Sequence, residues 1–332
     1  MFSTKKHSRG SIASVFILLV FLGAALLLIL NRQYVIDQIS VWQYKPSNEV
    51  TSIADRSGLN DNGKFVFYTA HPSIEGATSF NQKCGRKESS TAILGCYNGQ
   101  DIYIYNVTDP RLDGIREVTA AHEMLHAAYA RLSDADKNRI NALLAAEYEK
   151  LKSDKNFAER MAFYDRTELG ERDNELHSII GTEVGPIGNE LDAYYKKYFS
   201  DRGKIVALHE KYAAVFNDLQ KRGEIISNQL TALGSAIEQQ SSQYNADVAQ
   251  LNKDIASFNT RANSGGFSSD AEFQGVRNAL VARATQLETD RQNVNDSISH
   301  YNELRDELAA IASESDALNK SIDSSLAPAP SL

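Results

Sequence analysis

The sequence predicts an α+β protein. It expects a small antiparallel sheet leading into motif-bearing helices, a C-terminal antiparallel coiled-coil hairpin and one N-terminal transmembrane helix. Three observations carry this. Residues 10–30 form an uncharged, strongly apolar run. Short β-rich stretches at 64–69, 91–97 and 101–107 precede a run at 115–132 that lacks Gly and Pro and holds His122, Glu123 and His126. Beyond about Gly203, apolar residues recur at three-four spacing on both sides of Gly265-Gly266.

The chain has 332 residues, 42% of them hydrophobic, enough for one sizeable core and a second element. Lys plus Arg number 35 against 43 Asp plus Glu, a net charge of −8. The basic residues are dispersed or set beside acids, which argues against a nucleic-acid partner.

Taken in order, residues 1–11 carry Lys5, Lys6 and Arg9. Residues 12–31 are long enough to span a hydrocarbon core at about 1.5 Å per residue. No small-x-small cleavage site follows, so the run reads as a signal anchor. Positive charge stays inside, which places 1–11 in the cytoplasm and everything after Asn31 outside it. Residues 32–63 read as a juxtamembrane linker. In it Val35, Ile36, Ile39 and Trp42 repeat at helical spacing, suiting a helix that lies on the membrane or packs on the next domain. The stretch 46–63 is polar and turn-rich.

A folded domain that carries the motif helix is expected over 64–202. Its strands are 64–69, 91–97 and 101–107, with Asn98-Gly99-Gln100 as a hairpin turn and His71-Pro72 in a loop. Cys84 and Cys96 flank a short polar loop and should form a disulfide outside the cytoplasm, contributing about 3 kcal/mol in the chain-entropy model. The strand 101–107, just before the motif helix, is the candidate edge for pairing with an extended peptide. Ser133-x-x-Asp136 caps a helix to about Leu151, and 156–169 is another amphipathic helix. Leu191, Tyr194, Tyr195, Tyr198 and Phe199 form an aromatic stripe that reads as core. The hairpin covers 203–325, its two seams running through Phe216, Leu219, Ile226, Leu251 and Phe258 and back through Phe273, Leu304, Ile311, Leu318 and Ile322. A second helical start at Ser269-x-x-Glu272 follows the Gly265-Gly266 reversal. A disordered tail, 326–332, contains Pro328 and Pro330.

The chemistry lies in His122-Glu123-Met124-Leu125-His126. Residues four apart share a helix face, so His122 and His126 can grip one metal ion. Glu123, one position on, reaches a water on that ion rather than the ion itself. This is the HExxH arrangement of zinc metallopeptidases. A catalytic zinc takes a third protein ligand. The metzincin route to it would need Gly at 129 and His at 132, where this chain has Tyr129 and Leu132. The candidates elsewhere are Glu168, Glu171, Glu175, His177 and Glu183.

Asn174-Glu175-Leu176-His177-Ser178-Ile179 resembles the second motif of the gluzincins, the thermolysin-like zinc peptidases, where Asn-Glu-x-x-Ser-Asp supplies the third ligand. The resemblance covers about residues 101–185. It implies Glu175 as that ligand and Zn²⁺ as the ion, with Glu123 as general base in peptide-bond hydrolysis. The Asp that orients a ligand histidine in that family is Ile179 here. Conceivable oxyanion donors are His177, Tyr164 and Tyr129. The expectation is therefore a membrane-anchored, extracytoplasmic zinc metallopeptidase acting on a peptide or protein, its hairpin docking a protein partner. The alternative is an envelope scaffold or assembly factor that binds zinc without catalysis and acts through the hairpin.

Overall fold

The structure, a computed structural model, describes residues 12–85, 93–167 and 170–326. Lys5, Lys6 and Arg9, the start of the 91–97 run, the candidate ligand Glu168 and the tail with Pro328 and Pro330 lie outside the described residues. The chain is mostly helical, and its contacts divide it into two compact units. The first comprises residues 1–214 and 319–332, the second residues 215–318.

The first unit opens with α1 (Ile12–Leu30) and α2 (Arg32–Gln43). Among the described residues no single helix is long and apolar enough to cross a membrane; Ser14–Leu30 and Arg32–Gln43 qualify only as a pair, bent by 75°. Next come α3 (Asn48–Arg56) and α4 (Asp61–Thr69), where the sequence suggested a linker and a strand. Both revisions have one cause. Val50, Ile53 and Ala54 are buried, as are Gly63, Val66, Phe67 and Ala70, and these spacings of three and four define helix faces. Ser47 and Asn60 cap the two helices, their side chains accepting the amides of Val50 at 3.2 Å and Gly63 at 2.9 Å. The β-propensity of a run such as Phe65-Val66-Phe67 spans only about 1 kcal/mol. Burying one Phe or Val contributes about 1.5–3 kcal/mol, so packing decides.

The sheet is three-stranded and mixed rather than antiparallel. β1 (Ser73–Glu75), which follows the His71-Pro72 loop and was not expected, pairs parallel with β3 (Ile102–Tyr105). The intervening α5 (Ala77–Lys83) makes that crossover possible. β2 (Gly95–Tyr97) pairs antiparallel with β3 across the expected 98–100 turn. The strand order β1-β3-β2 puts β3 in the middle, so the expected edge at 101–107 is central and β2 forms an edge instead. A disulfide joins Cys84, at the end of α5, to Cys96 on β2.

The core forms around α6 (Ile115–Ala130), the motif helix, which is buried on nearly every side. It packs on α3, α4, β2 and β3, and most extensively on α9 (Arg172–Thr182). Between them in sequence run α7 (Asp134–Leu151), started by the Ser133 cap, and α8 (Lys155–Thr167). α10 (Asn189–Tyr195) brings the aromatic stripe into the core as expected, with Tyr195 fully buried. α9 comes close to α6 at Gly181, where a Cβ would stand 2.4 Å from Leu125 Cδ1 and 2.7 Å from Tyr195 Cε1.

The long helices α11 (Arg202–Asn263) and α12 (Asp270–Ile322) run antiparallel through the second unit. Asp254 pairs with Arg283 at 2.5 Å, the rings of Phe258 and Phe273 lie 5.1 Å apart, and Gly234 sits beside Tyr301. Leu219, Ile226, Leu251, Leu304 and Ile311 are buried along the seam. At the reversal the Ser269 hydroxyl accepts the Glu272 amide at 3.2 Å, forming the expected helix cap. The first turns of α11 belong to the other unit: Ile205 and Val206 are part of its core, and Leu208 and Tyr212 pack against it. The chain also returns to that unit after α12, where Asn81 donates to the Ser324 carbonyl at 3.0 Å.

No residue of 215–318 belongs to the core cluster around α6. Replacing those residues with a short flexible linker, with 319–326 kept, should leave a cooperatively folding first unit that still takes up metal. Thermal unfolding and metal content of the shortened chain check this; loss of both would make the hairpin part of the core.

Candidate metal centre

His122 and His126 project from one face of α6, their rings 4.7 Å apart and nearly perpendicular at 78°. Glu175, near the start of α9, faces both. Its Oε2 lies 3.5 Å from His122 Nε2 and its Oε1 lies 3.4 Å from His126 Nε2. One ligand atom from each residue falls within 4.8 Å of the other two, so the group could hold a metal ion. Ligands about 2.0–2.1 Å from a tetrahedral ion stand roughly 3.3 Å from one another, close to the two separations seen here.

The orientation of His126 follows from its neighbours. Asn174 donates its amide to Glu171 Oε2 at 3.0 Å, which turns its Oδ1 toward His126 Nδ1 at 2.9 Å. Nδ1 therefore carries the proton, and Nε2 presents its lone pair toward Glu175. The Ser178 hydroxyl lies 3.3 Å from the same Nδ1. Asn174 and Ser178 thus hold the His126 ring, and Ile179 is fully buried as core.

Burial by itself would lower the pKa of His122. The hydrogen bond and charge of Glu175 outweigh it, with Glu123 and Glu183 adding, and raise it to about 9. The local field therefore favours positive charge at this point.

These groups line a cavity of about 650 Å³. Gly95, Cys96 and Tyr97 of β2 form one wall, and Arg160, Phe163 and Tyr164 of α8 line another. Glu123 is buried beside β2. A Cβ at Gly95 would come within 2.5 Å of Thr119 Cγ2 and 2.8 Å of Glu123 Oε1, so this glycine lets the strand backbone run directly against Glu123. Tyr164 remains protonated: burial, then the charges of Glu175 and Glu183, push its phenol far up, so its O–H stays a donor.

The other candidates take different places. His177 is two residues from Glu175 on the same helix and so points to the opposite side. Its Nε2 meets Tyr194 Oη at 2.9 Å, and its ring packs on Tyr129 and Tyr195. Burial, with His126 and His122 adding, lowers its pKa to about 3 and keeps it neutral. Tyr129 donates to Asn141 at 2.9 Å and does not line the cavity. Glu183 does line it, but lies eight residues beyond Glu175. Its carboxylate binds Arg160 and stands 3.6 Å from His209 Nδ1. Glu171 sits at the cavity wall holding Asn174.

Sequence reasoning missed Arg160, Phe163 and Tyr212 as cavity residues. The first two could have been found, since Arg160, Phe163 and Tyr164 share a helix face. Tyr212 gave no such signal, because only the fold returns α11 to this cavity. No family model, curated protein or solved structure matches the chain.

Three substitutions test the assembly of the centre. Asn174→Ala should weaken metal binding by roughly 10–100-fold by freeing the His126 ring. Glu175→Ala should weaken it more, while His177→Ala leaves the stoichiometry unchanged. Competition with a chromophoric chelator measures all three, and metal loss in His177→Ala alone would redraw the ligand set.

Proposed function

We propose that the protein is a membrane-anchored, extracytoplasmic zinc metallopeptidase of gluzincin type. The observation that carries this is the placement of Glu123 beside the His122–His126–Glu175 group, in a cavity walled by the sheet edge β2. Zinc is the metal best suited to two imidazoles and one carboxylate at these separations. When bound, it supplies Lewis-acid activation of water and of a carbonyl.

The chain's own groups do the rest. β2 offers its outer backbone to an extended peptide, which lays the scissile bond along Glu123. Glu123 accepts a proton from the attacking water and delivers it to the departing amine. Tyr164 keeps its proton and donates a hydrogen bond to the oxygen on which negative charge develops. Arg160, with its charge balanced by Glu183, forms a polar wall suited to a further peptide carbonyl.

The anchor is assigned to α1, whose large apolar side chains from Val15 to Leu30 are exposed. The Cys84–Cys96 disulfide suits an oxidising compartment beyond the membrane. The second unit supplies no residue to the cavity lining, which favours docking of a protein partner as its task. That same observation would support the alternative, a zinc-binding scaffold that acts through its hairpin without hydrolysis.

Metal analysis with a peptide-library digest decides between enzyme and scaffold. Purified protein should hold zinc and cleave peptides. Glu123→Gln should keep the zinc and lose turnover by about 10²–10⁴-fold. Tyr164→Phe should lower kcat by roughly 10²–10³-fold with KM little changed. A zinc-loaded wild type that cleaves nothing in the library would favour the scaffold.

Topology is tested separately. A reporter fused after Leu332 that requires export should be active, and thiol labelling of unreduced protein should find neither Cys84 nor Cys96. A reporter active only in the cytoplasm would overturn the export reading.

A further inference from the structure

Helix α2 is amphipathic with its polarity reversed. A helix at a protein surface normally turns its apolar stripe inward. Here the Tyr34 ring packs 6.4 Å from that of Phe65, and the rest of the inward grip is largely polar. Asp37 is buried and binds Arg131 through both oxygens, Oδ2 to Nε at 3.0 Å and Oδ1 to Nη2 at 2.9 Å. Gln33 donates to Asp37 at 2.9 Å. The Ser40 hydroxyl donates to the Thr69 carbonyl and meets His71 Nε2, both at 2.8 Å. The outward side carries Ile36 at 46% exposure, Ile39 at 50% and Trp42 at 84%.

We propose that α2 is an interfacial helix: its outward side lies in the headgroup region of a bilayer while its inward side grips the unit that carries the metal centre. The inference rests on the reading of α1 as the membrane span. Three observations point to lipid as the occupant. First, the exposed side of α2 follows directly on α1, itself lined outwardly by exposed apolar side chains. Second, the 75° bend between them suits a turn from a helix along the bilayer normal to one near the bilayer plane. Third, the chemistry matches an interface. The Trp42 ring suits the headgroup level, and exposed Arg32 at the start of the helix and Lys45 just past its end can meet lipid phosphates. Asp37, the only acid on α2, is turned away from that side.

The grip reaches the metal centre. Arg131 is the C-terminal cap of α6, with its guanidinium also donating to the Ala127 carbonyl at 2.8 Å. Asp37 therefore ties α2 to the end of the helix that bears His122 and His126. On this inference the grip holds the metal centre at a set attitude to the bilayer.

Trp42 is the only tryptophan in the chain and reports on this directly. The full chain is reconstituted into phosphatidylcholine–phosphatidylglycerol vesicles, and flotation tests attachment through α1. Trp42 emission is then read against aqueous iodide and against lipids brominated near the headgroup or near the acyl terminus. The inference expects blue-shifted emission and protection from iodide, with stronger quenching by the shallow bromolipid than by the deep one. Floating protein whose tryptophan is iodide-accessible and insensitive to bromolipid would overturn it and leave the anchor standing. Protection from iodide without bromolipid quenching would mean that a protein or a second copy covers α2, and would also overturn it. Failure to float removes the anchor and this inference together. Ile36→Ser with Ile39→Ser should raise iodide quenching without lowering the melting temperature. A lower melting temperature would mean that these side chains are core, against the proposal.

Discussion

The close contact between α6 and α9 is the constraint on which the rest depends. A single helix can offer two metal ligands at one turn's spacing, after which its axis carries further residues away. A third ligand must arrive on another backbone, and the approach has to be near enough for a short side chain to span it. Gly181 permits that approach, since its Cα rests where a side chain would strike Leu125 and Tyr195. The same packing aligns Asn174 and Ser178 with His126 one turn below. One helix pair thereby brings together the three side chains that could hold a metal ion and the groups that orient His126.

Electrostatics sorts the acids around the cavity. Buried carboxylates are costly unless charge or hydrogen bonds compensate them. Half-buried Glu183 is matched by Arg160, while Glu171, exposed, accepts the amide of Asn174. Glu175 faces two imidazoles, and its charge outweighs the desolvation of His122. Each carboxylate is thus assigned by its nearest donor. The cavity that results combines a cation-seeking corner, a protonated phenol and a strand edge within one wall-to-wall space.

Much of the site was legible because it is local. His122, Glu123 and His126 lie within five residues on a helix that neither Gly nor Pro interrupts, and helical geometry alone puts the two histidines on one face. Glu175 was legible through its neighbours Asn174 and Ser178, which turn out to hold His126. The hairpin was equally plain, since its seams repeat over many turns and Ser269 and Glu272 mark the restart. Less legible was the stretch 46–69. Its buried residues follow helical spacing, yet the polar, turn-rich 46–63 suggested a linker and the β-branched and aromatic content of 64–69 a strand. Burial against α6 outweighs that propensity.

The sequence by itself determined the periodic and the covalent: the long helices, the two-histidine face, the cysteines available for pairing and the apolar run at 12–30. These depend on residues near one another in the chain, whose geometry is set by backbone hydrogen bonding. Tertiary structure decided what depends on distant segments meeting. It placed β1 beside β3, which moved the sheet edge to β2. It turned His177 away into a cage of tyrosines and recruited Arg160 and Tyr212 to the cavity. It also turned the polar side of α2 toward Arg131. In each case the deciding quantity was a contact energy between residues far apart in sequence, which no local pattern records.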